Sequence, residues 1–164
     1  MKKICLLLLL LVSNVIIAQE EIQTFVRNDS IVMKYFNPKF VGQNKEYEAG
    51  LSLYKNITNN LYTLALSVVF KDNNPIELNG NLIIDLGENK IVNLEPVFHK
   101  VLNPNGKVIE SSLFYLSEND IKFLEKFPLQ KIIFKVNNDT IILNVTYNKN
   151  IFIDEYLVLS PINK

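Results

Sequence analysis

The sequence predicts a strand-rich α+β fold, a single antiparallel sheet or sandwich of about eight to ten strands with one helix packed on it. Two observations support this. Apolar side chains alternate with a period of two through most of the chain, which is typical of strands with one buried face. One segment, at about residues 118–127, has helical spacing instead. The 164 residues are enough for one ordinary domain.

The first 18 residues have the pattern of a secretory signal peptide. Lys2 and Lys3 supply positive charge, residues 4–12 form a continuous apolar run, and Ala18 precedes the expected cleavage site. An uncleaved anchor is the alternative, but the apolar run is shorter than the roughly 20 residues that a spanning helix needs. We therefore expect export to the periplasm or to the outside of the cell, cleavage after Ala18, and no stable membrane insertion afterwards.

The mature part, residues 19–164, is expected to form one domain, with residues 19–45 as a candidate peripheral segment. Cleavage removes Cys5, the only cysteine. The mature chain therefore cannot form a disulfide, a thiolate metal site or a cysteine nucleophile. Such a domain depends on its core for stability, and about 146 residues are enough to bury one.

The charge of the chain argues against a nucleic-acid ligand. There are 17 basic and 17 acidic residues, and cleavage leaves 15 basic ones because Lys2 and Lys3 are removed. Arg27 is the only arginine, and the lysines are scattered. No basic stripe is available to contact phosphates, so no nucleic-acid partner is expected.

Four strands are expected in the first half of the mature chain, arranged as two hairpins. The candidates are residues 22–27, 31–36, 47–57 and 61–70. Residues 37–45 contain proline and glycine and are interpreted as a loop. The last of the four strands places five large apolar side chains on one face, which must be buried. They are Tyr62, Leu64, Leu66, Val68 and Phe70.

Shorter strands separated by turn residues are expected in the middle of the chain. The candidates are residues 76–78, 82–86, 90–94, 97–102 and 107–116. The first two are expected to pair about the turn residues 79–81, and Pro96 separates the third from the fourth. Residues 103–106, with the sequence NPNG, are a strong turn signal before the last strand.

The predicted helix begins at Ser117, whose hydroxyl can cap the first turn while Asp120 reaches back in a variant of the capping box. Pro128 is expected to end the helix. Two strands of alternating pattern follow, residues 131–136 and 141–147, and predict a hairpin that packs against the helix. Residues 151–159 are apolar and fit either a strand or a short helix.

His99 is the only histidine, and it lies in a predicted strand. It could act as a general base with an acid such as Glu95, but a hydrogen-bonded strand residue is the preferred interpretation. One histidine and no mature cysteine cannot form a typical zinc site. Acidic turns at residues 72–74 and 85–89 do not fit the spacing of a calcium loop, so we interpret them as solvated turns.

Patterns typical of catalytic and nucleotide-binding sites are missing from the sequence. There is no G-x-S-x-G elbow, no G-x-G-x-x-G and no Walker loop. Residues 111–112 are two strand serines, expected on an outer face. The acid pairs at residues 46/48 and 154/155 could cut glycosides, but their spacing favours neither pair. We therefore assign no catalytic, metal-binding or cofactor-binding residue, and expect no enzyme and no cofactor.

One strand offers a candidate binding face. Gly50, Ser52 and Tyr54 alternate with larger apolar residues, so their side of the strand could receive a ligand or a partner strand. An ordinary solvent-facing strand surface is the alternative. The chain has no tryptophan, which makes a carbohydrate site less favourable.

Export and the lack of a catalytic pattern together favour a small non-catalytic binding or accessory protein of the periplasm or cell envelope. Its partner would be another envelope protein or an apolar small molecule. The alternative is a carrier that holds an apolar small molecule or lipid between sheet and helix. A secreted hydrolase that uses carboxylates from distant parts of the chain ranks third.

Overall fold

The computed structural model of the chain describes residues 22–27, 31–70, 77–102 and 108–160. The predicted signal peptide, Cys5 and the acidic turn at residues 72–74 lie outside these residues. The strands are β1 (Gln23–Arg27), β2 (Ile31–Tyr35), β3 (Lys39–Gln43), β4 (Tyr47–Asn56), β5 (Leu61–Phe70), β6 (Leu78–Asp85), β7 (Ile91–Leu94), β8 (Pro96–Leu102), β9 (Ile109–Leu116), β10 (Lys131–Val136) and β11 (Asp139–Asn144). The helices are α1 (Glu118–Leu124) and α2 (Ile151–Leu159).

The strands form two antiparallel sheets. The large sheet has seven strands in the order β1-β2-β4-β5-β9-β8, with β3 also paired to β4, and the small sheet has four in the order β11-β10-β6-β7. The strand-rich α+β prediction is confirmed, whereas a single sheet with one helix is only roughly matched, because the described residues form two sheets and two helices. Two sheets allow each apolar face to be buried against the other.

One hydrophobic core fills the space between the two sheets. The five apolar residues predicted on one face of β5 are all buried, as are the inward residues of β6 and β10. Phe36 and Val41, from the segment expected to be peripheral, are 3% and 0% exposed and belong to the same core. Close packing of this kind stabilises the fold without a disulfide.

Residues 37–45 are not a loop throughout, because β3 lies within them and pairs with the first half of β4. The pairing shifts register between Phe40 and Gly42, which marks a bulge. Carbonyl groups of β3 also bind the segment after β11, since Val41 O accepts from Thr146 N at 3.0 Å. This short strand therefore connects the two sheets. The sequence did not predict it because five residues are too few to show a clear alternation of apolar and polar side chains.

The expected turn at residues 79–81 is also wrong, because β6 runs without interruption from Leu78 to Asp85. Gly80 has a φ of +75°, and the pairing of β6 with β10 is irregular at this point. The glycine therefore forms a bulge within a strand, where the sequence pattern predicted a turn between two strands.

Helix α1 begins as predicted and ends earlier than expected. Ser117 Oγ accepts from Asp120 N at 3.2 Å, and Asp120 Oδ2 accepts from Ser117 N at 2.9 Å, so the predicted capping box is confirmed. The helix ends at Leu124, before Pro128, and the intervening residues form a turn. The helix contacts the end of β9, from which it emerges, and buries Leu124 in the core.

Residues 151–159, which fitted either a strand or a helix, form helix α2. The helix packs against β4 and buries Ile151, Phe152 and Leu159 in the core. At its C-terminal end the Leu159 carbonyl accepts from the buried ammonium of Lys55 at 2.9 Å. Within the described residues, neither helix has the length and apolar character required to cross a membrane.

Candidate binding site

Small side chains lie in the middle of the outward face of the large sheet, the face that points away from the core. The register of the strands places one row of five residues across this face, from β3 to β8. The row consists of Phe40, Gly50, Ser67, Ser111 and Lys100. The next row along the strands consists of Ser52, Ala65, Leu113 and Phe98. The three central residues of the first row have little side chain, so they form the floor of a depression.

We call this depression the trough. Its first part is a cavity of about 490 Å³, with Gly50, Ser67 and Ser111 on the floor. The walls of this part are formed by Tyr35, Phe40, Tyr54, Val69 and Ile109, with Glu48 as the charged residue among its described lining residues. Cavities of about 300–1,000 Å³ are typical of small-molecule sites.

The trough continues into a second cavity of about 400 Å³. Tyr35 and Tyr54 line both cavities and form the boundary between them. The other lining residues of the second cavity are Phe25, Met33, Phe98, Lys100 and Leu113. Apart from Lys100, these five additional lining residues are all apolar.

The outward face of the large sheet is concave. Phe25 on β1 and Phe98 on β8 lie at opposite ends of the strand order β1-β2-β4-β5-β9-β8, yet both line the second cavity. The sheet must curl to bring its two ends to one cavity, as strongly twisted sheets do. The fold leaves both rings about half exposed, at 53% and 54%.

Two stacked tyrosines divide the trough. The rings of Tyr35 and Tyr54 have centroids 4.7 Å apart and lie within 3° of parallel. Burial raises the pKa of Tyr54, and the proximity of Tyr35 raises it further, whereas the Ser52 hydroxyl opposes the shift. Tyr54 therefore stays neutral at physiological pH and presents an uncharged aromatic wall.

The floor offers few free hydrogen-bonding groups. Its backbone belongs to β4, β5 and β9, which pair with one another in continuous register. The hydroxyls of Ser67 and Ser111 lie 2.8 Å apart and bind each other. Ser52 and Ala65 face the same side, yet they are only 0% and 2% exposed. The trough is therefore suited to a ligand that is mainly hydrocarbon.

The sequence indicated part of this site. Gly50, Ser52 and Tyr54 were predicted as a face for a ligand or partner strand, and the structure places Gly50 and Tyr54 in the lining of the trough. The partners that complete the site, Ser111 and Lys100, were missed. A hairpin with residues 103–106 as its turn would have placed Lys100 and Ser111 on the same face, but it would have paired Lys100 with Ile109, two residues from its observed partner.

His99 takes part in a second cluster, which faces the space between the sheets. Its Nδ1 lies 3.1 Å from Ser112 Oγ, and its Nε2 lies 3.5 Å from Glu110 Oε1. The neighbouring acid is therefore Glu110, on the paired strand β9, where the sequence suggested Glu95. Of the two serines expected on an outer face, only Ser111 lies there, and Ser112 faces inward.

The series Ser112, His99 and Glu110 resembles a catalytic triad. The burial of Ser112 nevertheless argues for a structural role. Ser112 is 4% exposed, whereas a nucleophile must reach a substrate carbonyl. Glu110 Oε2 also accepts a hydrogen bond from Leu78 N on β6. The cluster thus joins β8 and β9 of the large sheet to the small sheet.

The acids considered at residues 85–89 and 154/155 do not form a site. Glu155 is 1% exposed and binds the Leu53 amide, whereas its neighbour Asp154 is exposed. Asp85 accepts from Gly87 N within its own turn, and Glu88 pairs with Lys90. Within the part of the chain that the structure describes, no group of three or more His, Cys, Asp or Glu residues could hold a metal ion.

The chain matches no protein family, no curated protein and no solved structure.

Proposed function

We propose that this chain is an exported, non-catalytic binding protein and that the trough is its site for an apolar small molecule. Export rests on the signal-peptide pattern of residues 1–18. The binding site rests on one observation: a concave sheet face has a floor of small side chains and walls of aromatic and aliphatic ones. Sites for small molecules are usually preformed, concave and mainly apolar, with a few polar groups.

The exposure of the aromatic walls supports this proposal. Phe25 and Phe98 each leave about half of their surface in water. Burying apolar area stabilises a complex by about 25 cal/mol per Å², so a ligand that covers both rings gains affinity from surface that the fold leaves open. The stacked pair Tyr35 and Tyr54 adds a rigid wall. Its side chains are already ordered in the folded protein, so ligand binding loses little further conformational entropy there.

A carrier that holds its ligand between sheet and helix has less support. A cavity of about 560 Å³ does lie between the end of the large sheet and the two helices. About half of its lining is polar, and three of its lining residues, Glu118, Lys122 and Glu125, are charged. Hydrocarbon placed there would desolvate charged groups without pairing them, which is unfavourable.

The neutral fluorescent probe N-phenyl-1-naphthylamine tests the trough directly. We expect its emission to rise on addition of the mature protein, because the probe enters an apolar environment. A Ser111→Phe variant should abolish most of this rise, since the new ring would occupy the floor. Thr140→Phe is the matched control, because Thr140 is an exposed strand residue of the small sheet.

Circular dichroism of both variants would establish that they fold. If Ser111→Phe and Thr140→Phe bind the probe as tightly as the unaltered protein, the trough is not the site. The proposal would then be wrong, and a surface for an envelope protein partner would become the better interpretation.

A further inference from the structure

The charge of the trough is concentrated at its two sides. Lys100 lines the second cavity, and Glu48 lines the first. Lys100 stands on β8 and Glu48 on β4, so three strand spacings, about 14 Å measured along the sheet, separate them. Among the described residues, no ion pair involves Lys100. An ammonium at the edge of an apolar cavity attracts a single negative charge.

The groups beside Lys100 suit a compact anionic head. The register places Lys100 opposite Ser111, whose hydroxyl lies 2.8 Å from that of Ser67. An oxyanion near Lys100 could therefore accept from the ammonium and from a serine hydroxyl. Hydrogen bonds between charged groups are roughly twice as strong as neutral ones.

The remainder of the site disfavours ligands with many polar groups. The backbone of the floor is paired within the sheet, so a peptide or sugar would leave its own donors and acceptors unsatisfied. Each such buried group costs about 1–3 kcal/mol. Glu48 would also repel a second negative charge at the far side.

We infer that the trough binds a monomeric, monoanionic amphiphile of the long-chain carboxylate class. Its head pairs with Lys100, and its hydrocarbon chain lies along the floor of small side chains past Tyr54. This inference rests on the proposed function of the trough and adds the chemical class of the ligand. A monomer fits a concave site better than a bilayer surface does, because a flat membrane cannot reach the floor of a depression.

Competition with the naphthylamine probe tests the class of ligand. Palmitate and its methyl ester are titrated below their critical concentrations into the mature protein and into Lys100→Met. We expect palmitate to bind the unaltered protein about three- to tenfold more tightly than the ester does, as for a partly exposed ion pair with a hydrogen bond. In Lys100→Met this preference for palmitate over the ester should disappear, because the ammonium that pairs with the carboxylate is removed.

The matched control is Lys135→Met, since Lys135 is an exposed lysine of the small sheet. It should keep the preference for palmitate. If palmitate and the ester compete equally in all variants while Ser111→Phe still blocks the probe, the anionic class is wrong and the trough remains the site. If neither compound displaces the probe and Ser111→Phe has no effect, the proposed function fails as well.

Vesicles distinguish a monomeric ligand from a membrane surface. Sedimentation with phosphatidylglycerol vesicles should leave the protein in the supernatant, as with phosphatidylcholine vesicles. Binding to the anionic vesicles in the absence of any competition by palmitate would overturn the inference.

Discussion

Glu155 shows how one buried side chain completes the edge of the large sheet. Strand β3 pairs with β4 up to Leu51, and β2 resumes the pairing at Tyr54, so Leu53 lies opposite the break between them. Glu155 Oε2 accepts from the Leu53 amide at 2.6 Å, and Lys39 Nζ lies 3.6 Å from the other carboxylate oxygen. The carboxylate of α2 thus satisfies a backbone donor where the strand ladder is interrupted.

A Glu155→Ala substitution should therefore destabilise the protein by about 2–3 kcal/mol, because the buried Leu53 amide loses a charged acceptor. Glu155→Gln should cost less, since its amide oxygen can still accept from Leu53. The free energy of unfolding is obtained from urea denaturation. Asp154→Ala is the control, because Asp154 is exposed and adjacent in sequence. Equal losses in the alanine variants at both positions would contradict this account.

A second prediction at the residue scale concerns the cluster of Ser112, His99 and Glu110. Glu110→Ala should lower the free energy of unfolding by about 2–3 kcal/mol, since it removes the acceptor of Leu78 N. Ser112→Ala should cost about 1 kcal/mol or less, because only its hydrogen bond to the partly exposed His99 is lost. Urea denaturation measures both changes.

The same variants test whether the cluster is catalytic. We expect the unaltered protein and Ser112→Ala to hydrolyse p-nitrophenyl acetate at the same rate. A rate that depends on both Ser112 and His99 would show that the serine is a nucleophile, and the non-catalytic proposal would then be withdrawn.

At the scale of the elements, β3 joins the two sheets by a close backbone approach. A Cβ atom added to Gly42 would lie 2.7 Å from the carbonyl oxygen of Asn144, at the end of β11. The Asn148 side chain donates to Phe40 O at 2.7 Å in the same region. A glycine is required here because any side chain would push the two sheets apart.

Gly42→Ala should destabilise the protein by about 1–3 kcal/mol, the usual cost of forcing extra volume into a packed site. Gly50→Ala provides the comparison, since its added Cβ would lie 3.2 Å from the Lys39 carbonyl oxygen and needs a smaller adjustment. Thermal unfolding followed by circular dichroism would rank the two variants. A Gly50 variant that is less stable than the Gly42 variant would contradict the assigned role of β3.

The elements that the sequence predicted correctly are those with a strong local signal. The alternation along β5 and the capping box at Ser117 both depend on neighbours within a few residues. Strand β3 was missed, and the bulge at Gly80 was taken for a turn, because each is determined by a partner strand far along the chain. Tertiary pairing overrides local turn preference at both positions.

At the scale of the whole molecule, the trough could not be predicted from the sequence beyond one strand. Its floor combines Gly50, Ser67 and Ser111 from three strands, and its charged edge comes from Lys100 on a fourth. Alternation indicates which residues share a face, but it contains no information on sheet order or curl. The curl determines that this outward face is concave.

The stability of the whole molecule should fall at alkaline pH because of Tyr54. A tyrosine in the unfolded chain titrates near pH 10, whereas burial and the neighbouring Tyr35 raise the pKa of Tyr54 in the folded protein. Above about pH 10 the unfolded chain therefore releases a proton that the folded chain keeps, which favours unfolding. Below about pH 9 both forms are protonated, and Tyr54 adds no pH dependence.

The Tyr54→Phe variant keeps the ring stacked on Tyr35 and removes only the phenolic hydroxyl. Its free energy of unfolding, measured by urea denaturation, should therefore decline less between pH 9 and pH 11 than that of the unaltered protein. Burial also raises the pKa of Tyr47, so absorbance at 295 nm should show that the folded variant has one late-ionising phenol fewer than the unaltered protein. If the two proteins lose stability in parallel over this range, Tyr54 is not the group responsible. Its phenol would then have the same pKa in the folded protein as in the unfolded chain.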